Sequence, residues 1–335
     1  MKNCCIAIYF AVIIILAPSP VQAADWKALQ IDSEGHEVYA LKLLLRNQNC
    51  DPGEINTAFD EITREALVSF QVRNQLDPDG KAGPDTWKKL ISTVSNAEHS
   101  GEINDAVLAV QYLLRNKYAF TALAEDGTFG IETKAAVLLF QYNYKLGTNG
   151  TNGMDGIVGA KTWSYMIHDS TKAKQSGWVI CIELNEDRST LGTLYAFDAE
   201  GKKNLEIPCL AQSMTMNPNW RDKYANTPLG CFKASVSRRS RNKAEFGIYK
   251  CIELDDTDVR AVTNGRDRIL IHSGSNAYKH KTDYSLPVLY KGCRAQTISG
   301  LDQTHGCIRI SGNDHAKLYF TLKDQAVGIV SISEI

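Results

Sequence analysis

Hydrophobic positions along the chain follow two different periods, and the change between them divides the sequence. Between about residues 35 and 169, Val38, Leu41, Leu44 and Leu45, and later Val107, Val110, Leu113 and Leu114, fall at helical spacing. Each set makes one apolar stripe down a helix. A second helix is predicted to start just after Asp60 and, in the later copy, just after Gly130. A short third starts near Pro84, where proline at the first helical position gives up no needed N–H. The stretch repeats itself: Leu41 to Asn47 is echoed by Val110 to Asn116, and Phe59, Thr63, Ala66, Phe70 and Gln71 recur as Phe129, Thr133, Ala136, Phe140 and Gln141. Each copy closes on an Asp-Gly turn and a tryptophan, Asp79-Gly80 with Trp87 and Asp155-Gly156 with Trp163. The second copy is longer by a glycine- and asparagine-rich insertion at 147–153, the composition of an exposed loop. Residues 35–97 and 98–170 thus read as two small three-helix bundles.

Beyond a polar joint at 170–176 the pattern shortens. Runs rich in Val, Ile, Tyr and Phe at 178–184, 193–198, 205–209, 230–236, 246–254, 269–272, 308–311 and 327–332 are separated by Gly, Asp and Asn turns, so they read as strands. Residues 177–335 are expected to form a mostly β domain, sandwich-like or barrel-like, with one helix at 313–322. The fold class is multidomain α+β.

Composition narrows the class. With 44% hydrophobic and 22% charged residues and a net charge of −1, the chain is an ordinary globular one and implies no nucleic-acid partner. Residues 1–23 carry Lys2, an apolar run from Ile6 to Leu16 and Val21-Gln22-Ala23, the pattern of a cleaved secretory signal. That run is shorter than the roughly 20 residues a membrane-spanning helix needs, and no later run reaches that length. An exported protein, periplasmic or attached to the cell wall, is expected. Of the nine cysteines, Cys4 and Cys5 leave with the signal, and seven remain. An odd number in an exported chain fits disulfides plus one working thiol.

One candidate for that thiol stands out. Cys307 lies in Thr304-His305-Gly306-Cys307-Ile308-Arg309, where a glycine lets the backbone turn and aim N–H groups at a carbonyl oxygen. Upstream, the apolar run ending at His272 and Ser273 could present an imidazole at a strand edge. A histidine beside a cysteine lowers the thiol below its usual value of about 8.5 and takes its proton, giving the thiolate that attacks acyl carbon. A lone Cys/His pair is more often a packed core pair. A zinc site from His272, His305 and Cys307 is a further alternative, but no second metal-ligand spacing supports it. The cluster at 237–243, with three arginines and a lysine, reads as an exposed loop or as attraction to carboxylates. His280 and His315 are given no role.

These motifs resemble two known families. The repeats, with their Asp-Gly-x-x-Gly turn and Thr-Trp ending, are similar to the peptidoglycan-binding domain 1 family. The first copy departs from it, carrying 54–60 in place of the usual Asp-Gly before its second helix. The C-terminal domain resembles the L,D-transpeptidase (YkuD-type) catalytic domain, through His272, the Thr304-to-Arg309 motif and Thr227-Pro228-Leu229-Gly230. The resemblance implies Cys307 as nucleophile, His272 as general base, and the Ser273 carbonyl as the group orienting that base. It also implies Gly306 and Cys307 N–H groups as oxyanion donors, His305 as a positioning residue, and Thr304 and Arg309 on the substrate side. The interval from His272 to His305 is longer than in many members, so 275–303 is expected to hold an inserted loop over the site, with Cys293 in it.

The implied activity is peptidoglycan cross-linking through a cysteine thioester on stem tetrapeptides. It needs no cofactor, and the expected partners are stem peptides and glycan strands, engaged by a monomer. Two alternatives remain: an L,D-carboxypeptidase or endopeptidase on the same scaffold, and a wall-binding protein with an inert β domain.

Overall fold

The computed structural model describes residues 26, 28–94, 104–146, 154–168, 175–186, 188, 190–211, 219, 226–237, 249–256, 258–259, 263, 269–273, 307–325 and 327–335. The leader, the 147–153 insertion, His280, the segment 275–303 and most of the basic cluster lie outside these residues.

The two repeats fold as the periodicity requires. The first comprises α1 (His36–Asn47), α2 (Glu61–Arg73) and α3 (Pro84–Ser92); the second comprises α4 (Asp105–Tyr112), α5 (Ile131–Asn143) and α6 (Ala160–His168). A π-helical stretch, Leu113–Lys117, extends α4. Local chemistry sets the starts: the Asp60 carboxylate accepts the Thr63 N–H at 2.9 Å, and the Asn104 side chain accepts the Val107 N–H at 2.8 Å. Each satisfies one of the donors that a helix N-terminus leaves open.

The Asp-Gly turns are locked from inside by glutamine. Gln71 Nε2 donates to Asp79 Oδ1, the Lys81 carbonyl and Thr86 Oγ1, while its Oε1 accepts the Gly80 N–H. Gln141 repeats this set around Asp155-Gly156, and Gln111 does the same at Asp126-Gly127. These three glycines have φ of 68°, 76° and 71°, a left-handed conformation that side chains resist. In the first repeat, Lys42 stands where the second has Gln111. Its fully buried ammonium donates to the Glu54 carbonyl at 3.0 Å and Asn56 Oδ1 at 2.9 Å, and lies 3.5 Å from Asp60. This is the physical content of the departure at 54–60: a cation organises a turn that lacks the Asp-Gly pair.

The repeats pack through equivalent elements, α1 on α4 and α3 on α6. Arg46 grips Asp105 with two 2.7 Å bonds, Lys117 meets Glu37 at 2.7 Å, and Tyr39 stacks on Tyr112.

The C-terminal part is one eight-stranded sheet. Its strands are β1 (Val179–Leu184), β2 (Gly192–Phe197), β3 (Lys203–Cys209), β4 (Gly230–Val236), β5 (Ile252–Leu254), β6 (Leu270–His272), β7 (Ile308–Arg309) and β8 (Val327–Glu334), in spatial order β3-β2-β1-β8-β4-β5-β6-β7. The β1–β8 and β6–β7 pairs are parallel and the others antiparallel. The two edges then meet, because Leu210, just past β3, exchanges both backbone hydrogen bonds with Arg309 of β7, at 2.9 and 2.8 Å. Of the two arrangements expected, the sheet therefore adopts the nearly barrel-like one, its end strands joined among the described residues at this one bridge. Inside lie Ile180, Leu194, Phe232, Ile252, Ile271, Ile308 and Val330, with Leu318 and Leu322 from the helix α7 (Gly312–Leu322).

The helical and β parts share a core. Val179, Cys181, Phe197 and Ile329, on the outer face of the sheet, belong to the same apolar cluster as both repeats, and α5 packs on β1 and β8. Lys203 reaches Glu132 at 3.1 Å, and Lys134 reaches Ser333 at 3.3 Å across the same seam.

Candidate functional site

The short strands β5, β6 and β7 carry the candidate chemistry. The parallel register pairs Ile271 with Ile308 and His272 with Arg309. Side chains alternate along a strand, so Ile271 and Ile308 point into the barrel core, as their burial with it shows. Leu270, His272, Cys307 and Arg309 then share the opposite face. His272 and Cys307 are diagonal neighbours there, with Cα atoms separated by about 8 Å from strand spacing and rise. That spacing lets an imidazole and a thiol approach each other from adjacent strands.

Both groups are sheltered, His272 being 1% and Cys307 7% exposed, with Arg309 at 8% beside them. The ladder fixes their backbones, since the His272 carbonyl accepts the Ile310 N–H at 3.1 Å and Arg309 is held by Leu210. His272 Nδ1 lies 3.4 Å from the Ser273 carbonyl oxygen. With a proton on Nδ1 directed at that oxygen, Nε2 is left as the basic nitrogen. Thr304, His305 and Gly306 lie outside the described residues. The Thr227 turn is bound to the same end of β3, its Oγ1 donating to the Ala211 carbonyl at 3.0 Å.

Ser273 is held in turn. Its N–H and Oγ lie 3.3 and 2.9 Å from Nδ1 of His315, a fully buried histidine on α7. His315, given no role from the sequence, is thus a constituent of this face's support. Its sequence signal is its place in the first turn of the helix that follows the Cys307 strand, just after Ser311, whose Oγ accepts the Asp314 N–H at 3.1 Å.

The other thiols differ from the sequence expectation. In place of disulfides, Cys50, Cys181, Cys209 and Cys231 are free, and Cys293 lies outside the described residues. Most fill the role of small apolar residues, as the burial of Cys181 and Cys209 in the sheet shows. Burial pushes the Cys181 and Cys231 thiols up, and Cys209 up to about 12, so they stay protonated. Cys251 clusters with Leu270 and Cys307. By the strand register it lies two strands away from Cys307 and two residues along, a Cα separation of about 12 Å that exceeds disulfide reach. Among the described residues no three His, Cys, Asp or Glu side chains converge as a metal site would require, and no helix is long and apolar enough to cross a membrane.

Comparison with known proteins locates the N-terminal half. Residues 34–90 and 104–166 match the family model described as "Putative peptidoglycan binding domain", one match for each repeat. Among solved structures, an L,D-transpeptidase from Xylanimonas cellulosilytica is 21% identical, covering 70% of this chain and 94% of that one with a TM-score of 0.26. An L,D-transpeptidase from Stackebrandtia nassauensis is 18% identical with the same coverages and a TM-score of 0.25. A fused Zn-dependent amidase/peptidase/peptidoglycan-binding domain-containing protein from Clostridium acetobutylicum is 16% identical over 92% of this chain and 99% of that one, with a TM-score of 0.25.

Proposed function

We propose that the chain is an exported cell-wall acyltransferase, an L,D-transpeptidase whose helical repeats hold peptidoglycan while the barrel cross-links it. The observation that carries the reading is the shared face of β6 and β7, where a buried imidazole with its Nδ1 turned to a carbonyl stands diagonal to a buried thiol. The matched peptidoglycan-binding repeats supply the substrate class.

In this mechanism His272 takes the Cys307 proton and the thiolate attacks the carbonyl carbon at the L-centre of the third stem residue of a donor tetrapeptide. The oxyanion is met by the Cys307 and Gly306 N–H groups. The amide bond to the terminal D-alanine breaks, the leaving amine receiving the proton from the His272 imidazolium, and a thioester remains. An acceptor amine then attacks the thioester, His272 removes its proton, and the thiol is released as the cross-link forms. Thr304 and Arg309 flank the substrate, and His305 positions the nucleophile turn.

The test is incubation with purified muropeptides, resolving cross-linked dimers from trimmed monomers, together with intact-mass detection of an acyl-enzyme. Dimers that vanish in Cys307→Ser, with binding to sacculi retained, are expected. Dimers persisting in that variant would sink the proposal, and trimmed monomers alone would reassign the protein as a carboxypeptidase.

A further inference from the structure

We propose that His315 is a positioning residue for this site, holding Ser273 so that the Ser273 carbonyl fixes the ring of His272. This rests on the acyl-transfer reading above. The hydrogen-bond roles follow from the partners. Ser273 N–H can only donate and the Lys250 carbonyl, 3.1 Å from His315 Nε2, can only accept. Nδ1 is therefore the acceptor and Nε2 carries the proton, which makes the ring neutral. A second proton would set a donor against the Ser273 N–H. Burial acts in the same direction, holding His315 below the usual imidazole range, while the bond to the Lys250 carbonyl opposes it. The other groups around the ring agree with a neutral form: Tyr249 meets it edge-on at 5.8 Å, and Asp314, its neighbour on α7, is engaged by Ser311 and Lys317.

The placement matters because the ladder alone is short. β6 has three residues and β7 two, so few hydrogen bonds join the strand of the base to the strand of the nucleophile. His315 sits on the helix that continues directly from β7, and Ser273 directly follows His272. The His315–Ser273 bonds thus tie the Cys307 segment to the His272 segment at a second point. They also anchor Ser273 through both its N–H and its hydroxyl, keeping its carbonyl 3.4 Å from His272 Nδ1.

The experiment measures the pH dependence of Cys307 alkylation by iodoacetamide in the full-length protein, localised by mass spectrometry, for His315→Leu, His315→Gln and His315→Asn. Asparagine places an amide oxygen where Nδ1 accepts, whereas glutamine reaches toward Lys250 and abandons Ser273. The leucine and glutamine variants are expected to alkylate about 10- to 100-fold more slowly at neutral pH, the penalty of a misplaced catalytic group. Their onset should move to the higher pH of an ordinary thiol, and turnover should show a fall in kcat with KM kept. His315→Asn should restore most of the rate. If the leucine variant fails to fold, the glutamine and asparagine pair decides. A wild-type pH profile in His315→Gln, while His272→Ala destroys that profile, overturns the role of His315 alone. A wild-type Cys307 that titrates as an ordinary thiol and ignores His272→Ala overturns the acyl-transfer reading and this inference with it.

Discussion

Substituting Leu139 by serine, the residue at the matching position of the first repeat, tests whether the helical repeats and the barrel form one cooperative body. In α2 the buried positions are Thr63, Ala66, Leu67, Phe70 and Gln71, one stripe facing its own bundle, while Glu65 and Ser69 are exposed. In α5 the equivalent stripe is buried, and so are Ala135, Leu138 and Leu139, a second stripe on a helix that packs on β1 and β8. Leu139 is 0% exposed. Removing a buried leucine side chain costs about 2–5 kcal/mol. A hydroxyl left without a partner adds about 1–3 kcal/mol. A loss of at least about 3 kcal/mol is therefore expected, a large part of the roughly 5–15 kcal/mol that holds a typical fold. Urea unfolding followed by far-ultraviolet circular dichroism and by tryptophan fluorescence reads it out. Wild-type traces should coincide, and those of Leu139→Ser should shift to lower urea and separate. Ser69→Ala, at the exposed counterpart, is the control and should stay within about 0.5 kcal/mol. If Leu139→Ser cost no more than that control, the second stripe would not be buried against the sheet in solution and the shared core would be wrong.

Three further outcomes are expected. Gln141→Ala removes four hydrogen bonds around Asp155-Gly156; at about 1 kcal/mol each it should destabilise by several kcal/mol in urea melts, and a change under 1 kcal/mol would show that the turn stands without its lock. The depressed imidazole of His315 gives a sign to the pH dependence: its stabilising contribution is complete above the unfolded value of about 6.5 and is lost as pH falls through the folded value. Urea midpoints from pH 8 to 5 should therefore decline, and less steeply in His315→Asn; equal slopes would contradict the neutral assignment. Finally, native protein treated with a thiol reagent at pH 7 should leave Cys181, Cys209 and Cys231 unmodified, since burial keeps them protonated, and rapid labelling of any of these in peptide maps would contradict their packing.

What the sequence determined by itself is what local chemistry writes. Repeat structure, helix starts at Asp60 and Pro84 and the strand runs follow from spacing and residue type, although the run expected at 246–254 forms a strand only at Ile252–Leu254. Apolar period reports which face is buried but not what covers it. The second stripe of α5 was therefore visible as alanines and leucines, while its partner, the outer face of β1 and β8, was not. The burial of Lys42 likewise depends on Asn56 and Asp60 folding over it. Closure of the sheet rests on two hydrogen bonds between Leu210 and Arg309, residues far apart in sequence with no distinguishing side-chain pattern, so only the tertiary structure decided it. His315 is the same case: its identity was plain, but a buried histidine acquires meaning only from the Ser273 and Lys250 groups that the fold brings to its two nitrogens.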